Sequence, residues 1–415
     1  MDTPTQTKVD VARRRFLKTT AATAAGLTIV PSRSVAGTMA NSKVELGIIG
    51  TGGRGVWIGD LFQKRSACKV VALADVFDDR LDRGRARLKV EKGRCYKGLD
   101  AYLDLAASKL DAVAVMSPPY FHPEQTAAAV DAGRHVYLAK PIAVDVPGCR
   151  TVVDAARRGA GKTSVFVDFQ TRSTASFQEA ARRVHQGAIG QPVLGQVFYH
   201  GGRLRPQADP ADTRDAARLR NWVFDKVLSG DIIVEQNVHV IDLANWYLQA
   251  PPVRAVGSGG RKARTDVGDG WDHFVVTYTY PDDVLVDFSS SQFVEGFGDM
   301  CVRLFGTTGT VDSHYAGRVV ITGQKSWTGA DDKVGKHDGQ RVKKANRNMF
   351  TDGAADNVKT FINAVRAGEV LDNTEASAES TLACILGRSA AYAKQPVTWD
   401  EMIRANDKLE ADIVV

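Results

Sequence analysis

The apolar stretch IIVEQNVHVIDLANW, residues 232–246, carries three ionisable side chains, Glu235, His239 and Asp242. Its hydrophobicity is typical of a buried helix, in which residues four apart lie on the same face. Because histidine has an ordinary pKa of about 6.5, His239 could take the proton of an alcohol near neutral pH. No second histidine lies at helical spacing from His239, so an H-E-x-x-H metal site is not predicted. The stretch offers either an acid–base site or a set of buried polar residues with local partners.

The elements that would bring a reactant to these side chains start with a short apolar run, KVELGIIG (43–50), typical of a buried parallel strand. The run leads into GTGGRG, in which Gly50, Gly52 and Gly55 match G-x-G-x-x-G, and a helix-like pattern follows. Gly50 would form the tight turn, Gly52 would let the backbone approach a pyrophosphate, and Gly55 would let helix and strand pack closely. The helix N-terminus would face the phosphates. The position of the pattern between strand and helix predicts a dinucleotide site.

The next strand pattern, CKVVALADV (68–76), ends in Asp75, twenty residues after Gly55. A carboxylate at this position accepts a hydrogen bond from a ribose hydroxyl and repels a 2′-phosphate. The sequence therefore predicts NAD as the cofactor and disfavours NADP.

Three further strand patterns follow, within LDAVAVMSPPYFH (110–122), HVYLAKPI (135–142) and SVFVDFQTR (164–172), with helix-like segments between them. Strands that alternate with helices predict a doubly wound parallel sheet of the Rossmann type. Ligands of such sheets bind at the C-terminal ends of the strands. Ser117 and Lys140 are both predicted to lie at such ends.

Beyond about residue 172 the predicted strands are short, alternating and bounded by turns, which is typical of an antiparallel sheet. They lie in GQVFYH (195–200), WDHFVVTYTYP (271–281), VLVDFSSSQF (284–293), MCVRLFG (300–306) and GTVDSH (309–314). The polar stretch 322–350 is predicted to be a long surface loop with solvated Lys and Arg residues. The second face of such a sheet needs a cover, and we expect another copy of the chain to provide it.

Residues 1–36 hold six Lys and Arg against two Asp, and so contribute four of the formal net charge of +6. The rest of the chain is nearly balanced, so nucleic acid is not a predicted partner. ARRRFLK (12–18) resembles the twin-arginine export signal, with Arg13 and Arg14 as the pair, and the apolar run 19–30 after it is too short to span a bilayer stably. The resemblance implies the twin-arginine machinery as a partner, export in the folded state and a periplasmic or other extracytoplasmic location. An ordinary secretory leader or an uncleaved anchor is the alternative.

The five cysteines are widely scattered, and no two of them form a C-x-x-C pair. The spacing therefore predicts neither a metal site nor a redox dithiol. If the chain folds before export, disulfide bonds need not form.

Around Lys140 the motifs combine into the pattern of a known family. The glycine fingerprint, SPP followed by His122, and VYLAKPIA together resemble the Gfo/Idh/MocA oxidoreductases. That family carries Glu-Lys-Pro where this chain has Ala139, Lys140 and Pro141. The resemblance implies that Lys140 lies near the nicotinamide and the reacting hydroxyl, while the alanine removes whatever the family's glutamate orients.

The resemblance continues at the ionisable stretch. Relatives carry an aspartate four residues before a catalytic histidine, and here Glu235 precedes His239 at that spacing. It covers nearly the whole chain after residue 42, with a loose match over 173–230. It implies a second domain of the α+β class with a large, mostly antiparallel sheet, and a homo-oligomer would provide the cover that such a sheet needs.

These arguments define a predicted site. The catalytic residues are Lys140, His239 and Glu235. The cofactor-binding residues are Gly50, Thr51, Gly52, Arg54, Gly55, Asp75, Arg80, Ser117, His122 and Lys140. The substrate-binding residues are Arg172, His122 and Glu235, with a supporting role for Arg172 equally open, and Asp242 is predicted to be structural.

The predicted domains are a signal peptide (1–36), an NAD-binding Rossmann domain (43–168) and a domain for substrate binding and oligomerisation (169–415). The predicted function is NAD-dependent oxidation of a secondary hydroxyl of a sugar, glycoside or polyol. Because free dinucleotide is scarce outside the cytoplasm, we expect the cofactor to travel with the folded protein and to stay bound.

Two other functions remain open at this point. One is a redox-assisted glycoside hydrolase or lyase, which needs a further base such as His122, Glu235 or Tyr199. The other is a non-catalytic sugar- or nucleotide-binding protein, against which the joint presence of Lys140 and His239 argues.

Overall fold

The computed structural model describes residues 30–31, 43–296, 298–315, 318–329 and 339–414. Except for Val30–Pro31, which pairs with Glu369–Val370, the predicted signal peptide lies outside the described residues. Among the described helices, none combines the length and hydrophobicity needed to cross a bilayer.

The first domain is built on a six-stranded sheet in which every pairing is parallel. In spatial order its strands are Cys95–Lys97, Cys68–Asp75, Val44–Ile49, Ala112–Val115, His135–Ala139 and Val165–Asp168. The helices along this part of the chain are Gly53–Arg65, Asp78–Leu88, Ala101–Ala107, His122–Asp131 and Val146–Arg158. The predicted doubly wound sheet is confirmed.

The order in which the chain adds its strands reverses in the middle of this parallel sheet. The strand Val44–Ile49 is flanked on one side by Cys68–Asp75 and on the other by Ala112–Val115. In doubly wound sheets, ligands bind in the crevice at this switch point, beyond the carboxyl ends of the strands. Asp75, Ser117 and Lys140 lie at or just after such ends.

The second domain carries a nine-stranded sheet. Its order is Trp327–Thr328, Val319–Gly323, Gly309–His314, Asp299–Gly306, Pro192–His200, Leu285–Ser291, His273–Thr279, Arg254–Gly260 and Val397–Thr398. All pairs are antiparallel except the parallel pair of Pro192–His200 with Leu285–Ser291. The five predicted strands are confirmed. The glycine-rich strand Arg254–Gly260 was not predicted, because three glycines interrupt its alternation.

Helices cover one face of the second sheet. Val238–Leu248 packs on the central strands, Thr374–Ala393 packs near the edge that contains Arg254–Gly260, and Ala175–His185 packs near the other edge. The remaining α-helices of this domain are Gln170–Ser173, Arg214–Arg220, Lys226–Ser229, Ile232–Glu235 and Trp399–Ala405. Short 3-10 turns lie at Lys92–Arg94 and Pro119–Phe121 in the first domain, and at Trp222–Phe224 and Pro281–Asp283 in the second. The opposite face of the sheet is its outer face.

The prediction of a surface loop over 322–350 is wrong where the structure describes this stretch. The strands Val319–Gly323 and Trp327–Thr328 occupy its start, and a helix, Gly339–Ala367, begins within it; residues 330–338 lie outside the described residues. The first part of this helix is polar and lacks the apolar period that predicts a helix. Its later part supplies that period, with Val358, Phe361, Ile362 and Val365 all buried.

The helix Gly339–Ala367 completes the first domain although it comes late in the chain. The Phe361 ring packs against Phe62, Tyr137 and Phe166 of the first domain, with ring centroids 5.5 to 6.3 Å apart. These side chains belong to one apolar cluster with the strand Val44–Ile49. Residues on both sides of the predicted domain boundary at residue 169 therefore share this core.

Candidate active site

The glycine loop has the geometry of a phosphate cradle. Gly50 has a φ of +87°, and a side chain at Gly55 would come within 1.8 Å of the Gly50 carbonyl oxygen, so both positions require glycine. The first helix begins after Gly52 without a side-chain cap, so its first N–H groups are available to an anion. A side chain at Gly52 would meet only Arg80, at 3.9 Å. The backbone here is open to a ligand.

A cavity of about 800 Å³ lies beside this loop. Seven predicted cofactor-binding residues line it: Gly50, Gly52, Arg54, Gly55, Asp75, Arg80 and Ser117. Its size, its glycine cradle and its carboxylate fit a dinucleotide. Thr51, His122 and Lys140 do not belong to the lining.

Thr51 is fully buried, and it holds Asp75 rather than facing the cavity. Its backbone N–H and its hydroxyl donate to one oxygen of the Asp75 carboxylate, at 2.7 and 3.1 Å, and the backbone N–H of Phe77 donates to the other oxygen. The predicted direct contact between Thr51 and the cofactor is therefore replaced by a supporting role. The carboxylate of Asp75 is fixed in place and still borders the cavity.

A segment of the second domain closes the far side of this cavity. Gln207, Leu219, Arg220 and Trp222 all line it, and we call residues 207–222 the strap. Sequence analysis did not predict this role, because the strap lies where the match to the family pattern is loose and contains no motif.

Arg220 fastens the strap to the first domain. Its guanidinium donates to both carboxylate oxygens of Asp79, at 2.8 and 3.3 Å, and to Asp212 within the strap at 3.2 Å. It also lies 3.9 Å from the ring centroid of Phe77, two residues after Asp75. A bidentate pair and a cation–π contact together hold the strap over the nucleotide cavity.

Lys140 and Glu235 connect the two domains at the ends of their elements. The Lys140 ammonium donates to the backbone carbonyl of Glu235 and to its Oε1, the latter at 3.2 Å. Both side chains are mostly buried. Lys140 directly follows the strand His135–Ala139, and Glu235 ends the short helix Ile232–Glu235.

The expectation of one helix over 232–246 is wrong. The chain forms two helices, Ile232–Glu235 and Val238–Leu248, with a break at 236–237. The four-residue spacing therefore does not place Glu235 and His239 on one helix face. The break lets the Glu235 carbonyl accept from Lys140 instead of continuing a helical ladder.

His239 is a buried, neutral base. Burial lowers its pKa well below 6.5, and the positive charges of Lys140 and Arg54 lower it further. The rings of Phe169 and Tyr315 pack edge-on against the imidazole, and the Tyr315 hydroxyl donates to the His239 carbonyl oxygen at 2.7 Å. The imidazole is thus held in place by these rings and is unprotonated at neutral pH.

His122 is buried between two backbone carbonyl groups. It is 1% exposed, and its ring nitrogens lie 2.8 Å from the Pro141 carbonyl oxygen and 2.9 Å from that of Ser117. Burial lowers its pKa to about 4, although the two carbonyl contacts raise it. The ring therefore ties two neighbouring strand ends together, and its predicted contacts with cofactor or substrate stay predictions.

Arg172 is engaged by Asp242. Its Nε and Nη2 donate to the Asp242 carboxylate at 2.8 to 3.1 Å, its guanidinium lies 5.3 Å from the Trp246 ring centroid, and Ser380 also donates to Asp242. The fully buried Asp242 has the structural role expected of it. Because the same pair occupies the donor fork of Arg172, the supporting role fits this arginine better than the predicted substrate contact.

Two further residues concern the site. Sequence analysis missed Asp168, and it offered Tyr199 as a further base. Asp168, fully buried at the end of its strand, accepts from Arg54 of the glycine loop and, at 2.7 Å, from Asn357. An acidic residue closing an apolar strand, as in VFVD, is the signal that could have identified it. Tyr199 is a poor base, because burial and the nearby charge of Glu235 raise its pKa far above 10.

Comparisons with known proteins match both domains. Residues 44–169 match the oxidoreductase family with an NAD-binding Rossmann fold, and residues 177–312 match the GFO/IDH/MocA C-terminal domain. The chain is 30% identical to inositol 2-dehydrogenase 2 of Saccharopolyspora erythraea, over 82% of this chain and 92% of that protein. It is 24% identical to myo-inositol 2-dehydrogenase of Thermotoga maritima, over 87% of this chain and the whole of that protein. Several other inositol dehydrogenases match over about half of their length.

Solved structures share the fold. A levoglucosan dehydrogenase in complex with NADH and levoglucosan superposes with a TM-score of 0.67 at 16% identity, covering 86% of this chain and 99% of that one. The scyllo-inositol dehydrogenase of Lactobacillus casei with NAD(H) and scyllo-inositol gives 0.65 at 18% identity, covering 86% of this chain and all of the other. With both domains matched and one relative 30% identical over most of its length, the chain belongs to the Gfo/Idh/MocA family of oxidoreductases.

Proposed function

We propose that this protein oxidises a secondary hydroxyl of a cyclic polyol or sugar, with a tightly held NAD as the hydride acceptor. The carrying observation is the Lys140 ammonium, held by Glu235 directly after a strand of the nucleotide-binding sheet and close enough to His239 to lower its pKa. The names of the relatives, inositol and levoglucosan dehydrogenases, support this substrate class.

The residues divide the work of the reaction. When bound, NAD supplies the acceptor for the hydride. The Lys140 ammonium donates a hydrogen bond to the alcohol oxygen and stabilises the charge that develops there. The neutral imidazole of His239 accepts the hydroxyl proton. Glu235 fixes the direction of Lys140 and has a second carboxylate oxygen for a neighbouring substrate hydroxyl.

The two departures from the family pattern lie at the same contact. Where relatives carry glutamate before the lysine, this chain has Ala139, which offers Lys140 no carboxylate. Glu235, where relatives carry aspartate, reaches Lys140 instead. The added methylene of Glu235 thus supplies an acidic partner for Lys140 from the second domain.

The alternative functions lack support from the site. Elimination beside a ketone needs a further base, but His122 is enclosed by two carbonyl groups and the pKa of Tyr199 is raised. Glu235 is already paired with Lys140. A non-catalytic binding role gives no reason for a neutral imidazole and an ammonium group to share one site.

The strap supports retention of the cofactor between turnovers. A ligand in the cavity would be enclosed by the glycine loop on one side and by Arg220 and Trp222 on the other. Release would require the Arg220–Asp79 pair to open.

We favour NAD over NADP because Asp75 is fixed at the cavity wall by Thr51 and Phe77, although Arg80, Arg83 and Arg87 also border this end of the cavity. Assays with both coenzymes measure the preference.

We also propose that the chain forms a homo-oligomer through the outer face of the nine-stranded sheet. Leu194, Val256, Val275 and Leu285 point to this face from four adjacent strands, and each is 41 to 54% exposed. Exposed apolar side chains on a sheet face favour association with another surface of the same kind. Sedimentation of the full chain measures its mass in solution.

The proposed function predicts that the purified full chain carries a dinucleotide, identified by absorbance and mass, and reduces it on addition of inositol isomers or levoglucosan. NAD should support faster turnover than NADP. Absence of both bound nucleotide and turnover with every polyol tested would contradict the proposal. Release of aryl alcohol from aryl glycosides would favour the hydrolytic alternative instead.

Lys140→Met and His239→Ala should each lower kcat by about 10²- to 10⁴-fold, because each removes a proton-handling group, while NAD affinity changes little. The exposed Lys162→Ala is the matched control.

Because the pKa of His239 is lowered, the imidazole stays neutral until the pH falls well below 6.5, so the acid limb of the wild-type rate should lie there. In Lys140→Met the NMR titration of His239 should move to higher pH, since a positive charge has been removed. An unchanged titration would show that the charge of Lys140 does not act on His239.

Opening the strap should release the cofactor faster. We expect Arg220→Gln to raise the dissociation rate of NADH about tenfold, the effect of losing about 1.4 kcal/mol of binding, as measured by nucleotide fluorescence after dilution. Arg214→Gln on the same helix, where the arginine is exposed and pairs with Asp215, is the control. Equal dissociation rates in the two variants would argue against a closing role for the strap.

We propose folded export on the basis of Arg13 and Arg14. Changing both to lysine should leave the precursor inside the cell with its nucleotide bound, because twin-arginine recognition requires the arginine pair. Cell fractionation and immunodetection of the full chain measure this. Undiminished export of the double variant would instead indicate the general secretory route.

A further inference from the structure

Three side chains on the outer face of the nine-stranded sheet meet as potential metal ligands: Cys301, Asp312 and His314. Cys301 and His314 are direct cross-strand partners in the pairing of Asp299–Gly306 with Gly309–His314. Asp312 lies two residues before His314, on the same face of its strand. None of the three touches the nucleotide cavity, so the cluster is separate from the site described above.

The spacing of the ligand atoms is that of a tetrahedral site. The Cys301 Sγ lies 3.7 Å from the His314 Nε2 and 3.5 Å from the Asp312 Oδ1, and the last two atoms are 3.3 Å apart. Bonds of about 2.3 Å to sulfur and about 2.1 Å to nitrogen and oxygen, at tetrahedral angles, give edges of about 3.6, 3.6 and 3.4 Å for a zinc ion. The three distances match without movement of any side chain.

The carboxylate of Asp299 orients the imidazole of His314. Its Nδ1 lies 3.0 and 3.1 Å from the two carboxylate oxygens of Asp299, a side chain that is itself over nine-tenths buried. A carboxylate on the outer nitrogen of a ligating histidine fixes the ring and directs the other nitrogen at the metal. Arg303 donates to Asp312 Oδ1 at 2.9 Å and so positions the carboxylate from the opposite side.

We propose that Cys301, Asp312 and His314 bind one divalent cation of borderline softness, with zinc as the best fit, and leave a fourth position for water. Sulfur, imidazole nitrogen and a carboxylate oxygen are ligands that zinc prefers over magnesium or calcium. Access is from the side of Asp312, which is only half-buried, whereas Cys301 is fully buried.

Sequence spacing could not reveal this cluster. Its cysteine and histidine are thirteen residues apart and become neighbours through strand pairing. The sequence prediction of no metal site rested on the absence of closely spaced ligand pairs, which are the signature of loop-built sites.

Cobalt(II) is the test probe, added to the chelator-treated full chain. We expect one ion per chain, the visible spectrum of a tetrahedral site, a sulfur-to-cobalt charge-transfer band, and displacement by zinc. Cys301→Ser should remove the charge-transfer band. Cys95→Ser, which changes a partly exposed thiol of the first domain, should leave the band unchanged. A band that persists in Cys301→Ser, or depends on Cys95, would overturn the proposal.

Two measurements keep the test independent of how Cys301→Ser folds. Asp299→Asn keeps all three ligands and should weaken zinc affinity about ten- to hundredfold, the usual effect of losing an orienting carboxylate. Equilibrium dialysis of the wild-type chain against zinc should show one ion bound per chain. Absence of stoichiometric binding, or unchanged zinc affinity in Asp299→Asn, would overturn the proposal.

Discussion

The contact between Lys140 and Glu235 is the interaction on which the site depends. It joins a strand end of the nucleotide-binding sheet to a helix end of the second domain, and it is mostly shielded from water. Ion pairs out of water are favourable only when further hydrogen bonds compensate the desolvation of both groups. Here the backbone carbonyl of Glu235 provides one, because the helix breaks after this residue. The break is therefore a requirement of the site and not an irregularity of the helix.

Around this contact, buried polar side chains hold the strand ends in place. His122 links the ends of two neighbouring strands through backbone carbonyls, Thr51 fixes Asp75, and Asp168 anchors Arg54. Each of these three side chains has a partner from another element, which makes the arrangement rigid. Precise placement of donors and bases is what catalysis needs, since small displacements of such groups reduce rates strongly.

The sequence predicted the parallel sheet and the glycine loop, because these depend on local periodicity and on a motif of fixed spacing. The family resemblance placed Lys140, Glu235 and His239 together in one predicted site. The sequence also assigned His122 and Thr51 to ligand contact, because a motif identifies positions near a site but not the direction in which a side chain points. It missed the strap and the helix Gly339–Ala367 for a different reason. Their roles arise from packing between distant segments, and their polar residues carry no period that marks a buried face.

The helix Gly339–Ala367 also determines when the first domain can form during synthesis. Until residues around Phe361 have left the ribosome, the rings of Phe62, Tyr137 and Phe166 lack the partner that covers them. The nucleotide-binding half is therefore among the first parts of the chain to be translated and among the last to close. The growing chain must therefore keep an apolar sheet face protected for most of its translation. Binding of the dinucleotide then becomes a late, post-translational event, which indicates that the whole molecule has folded.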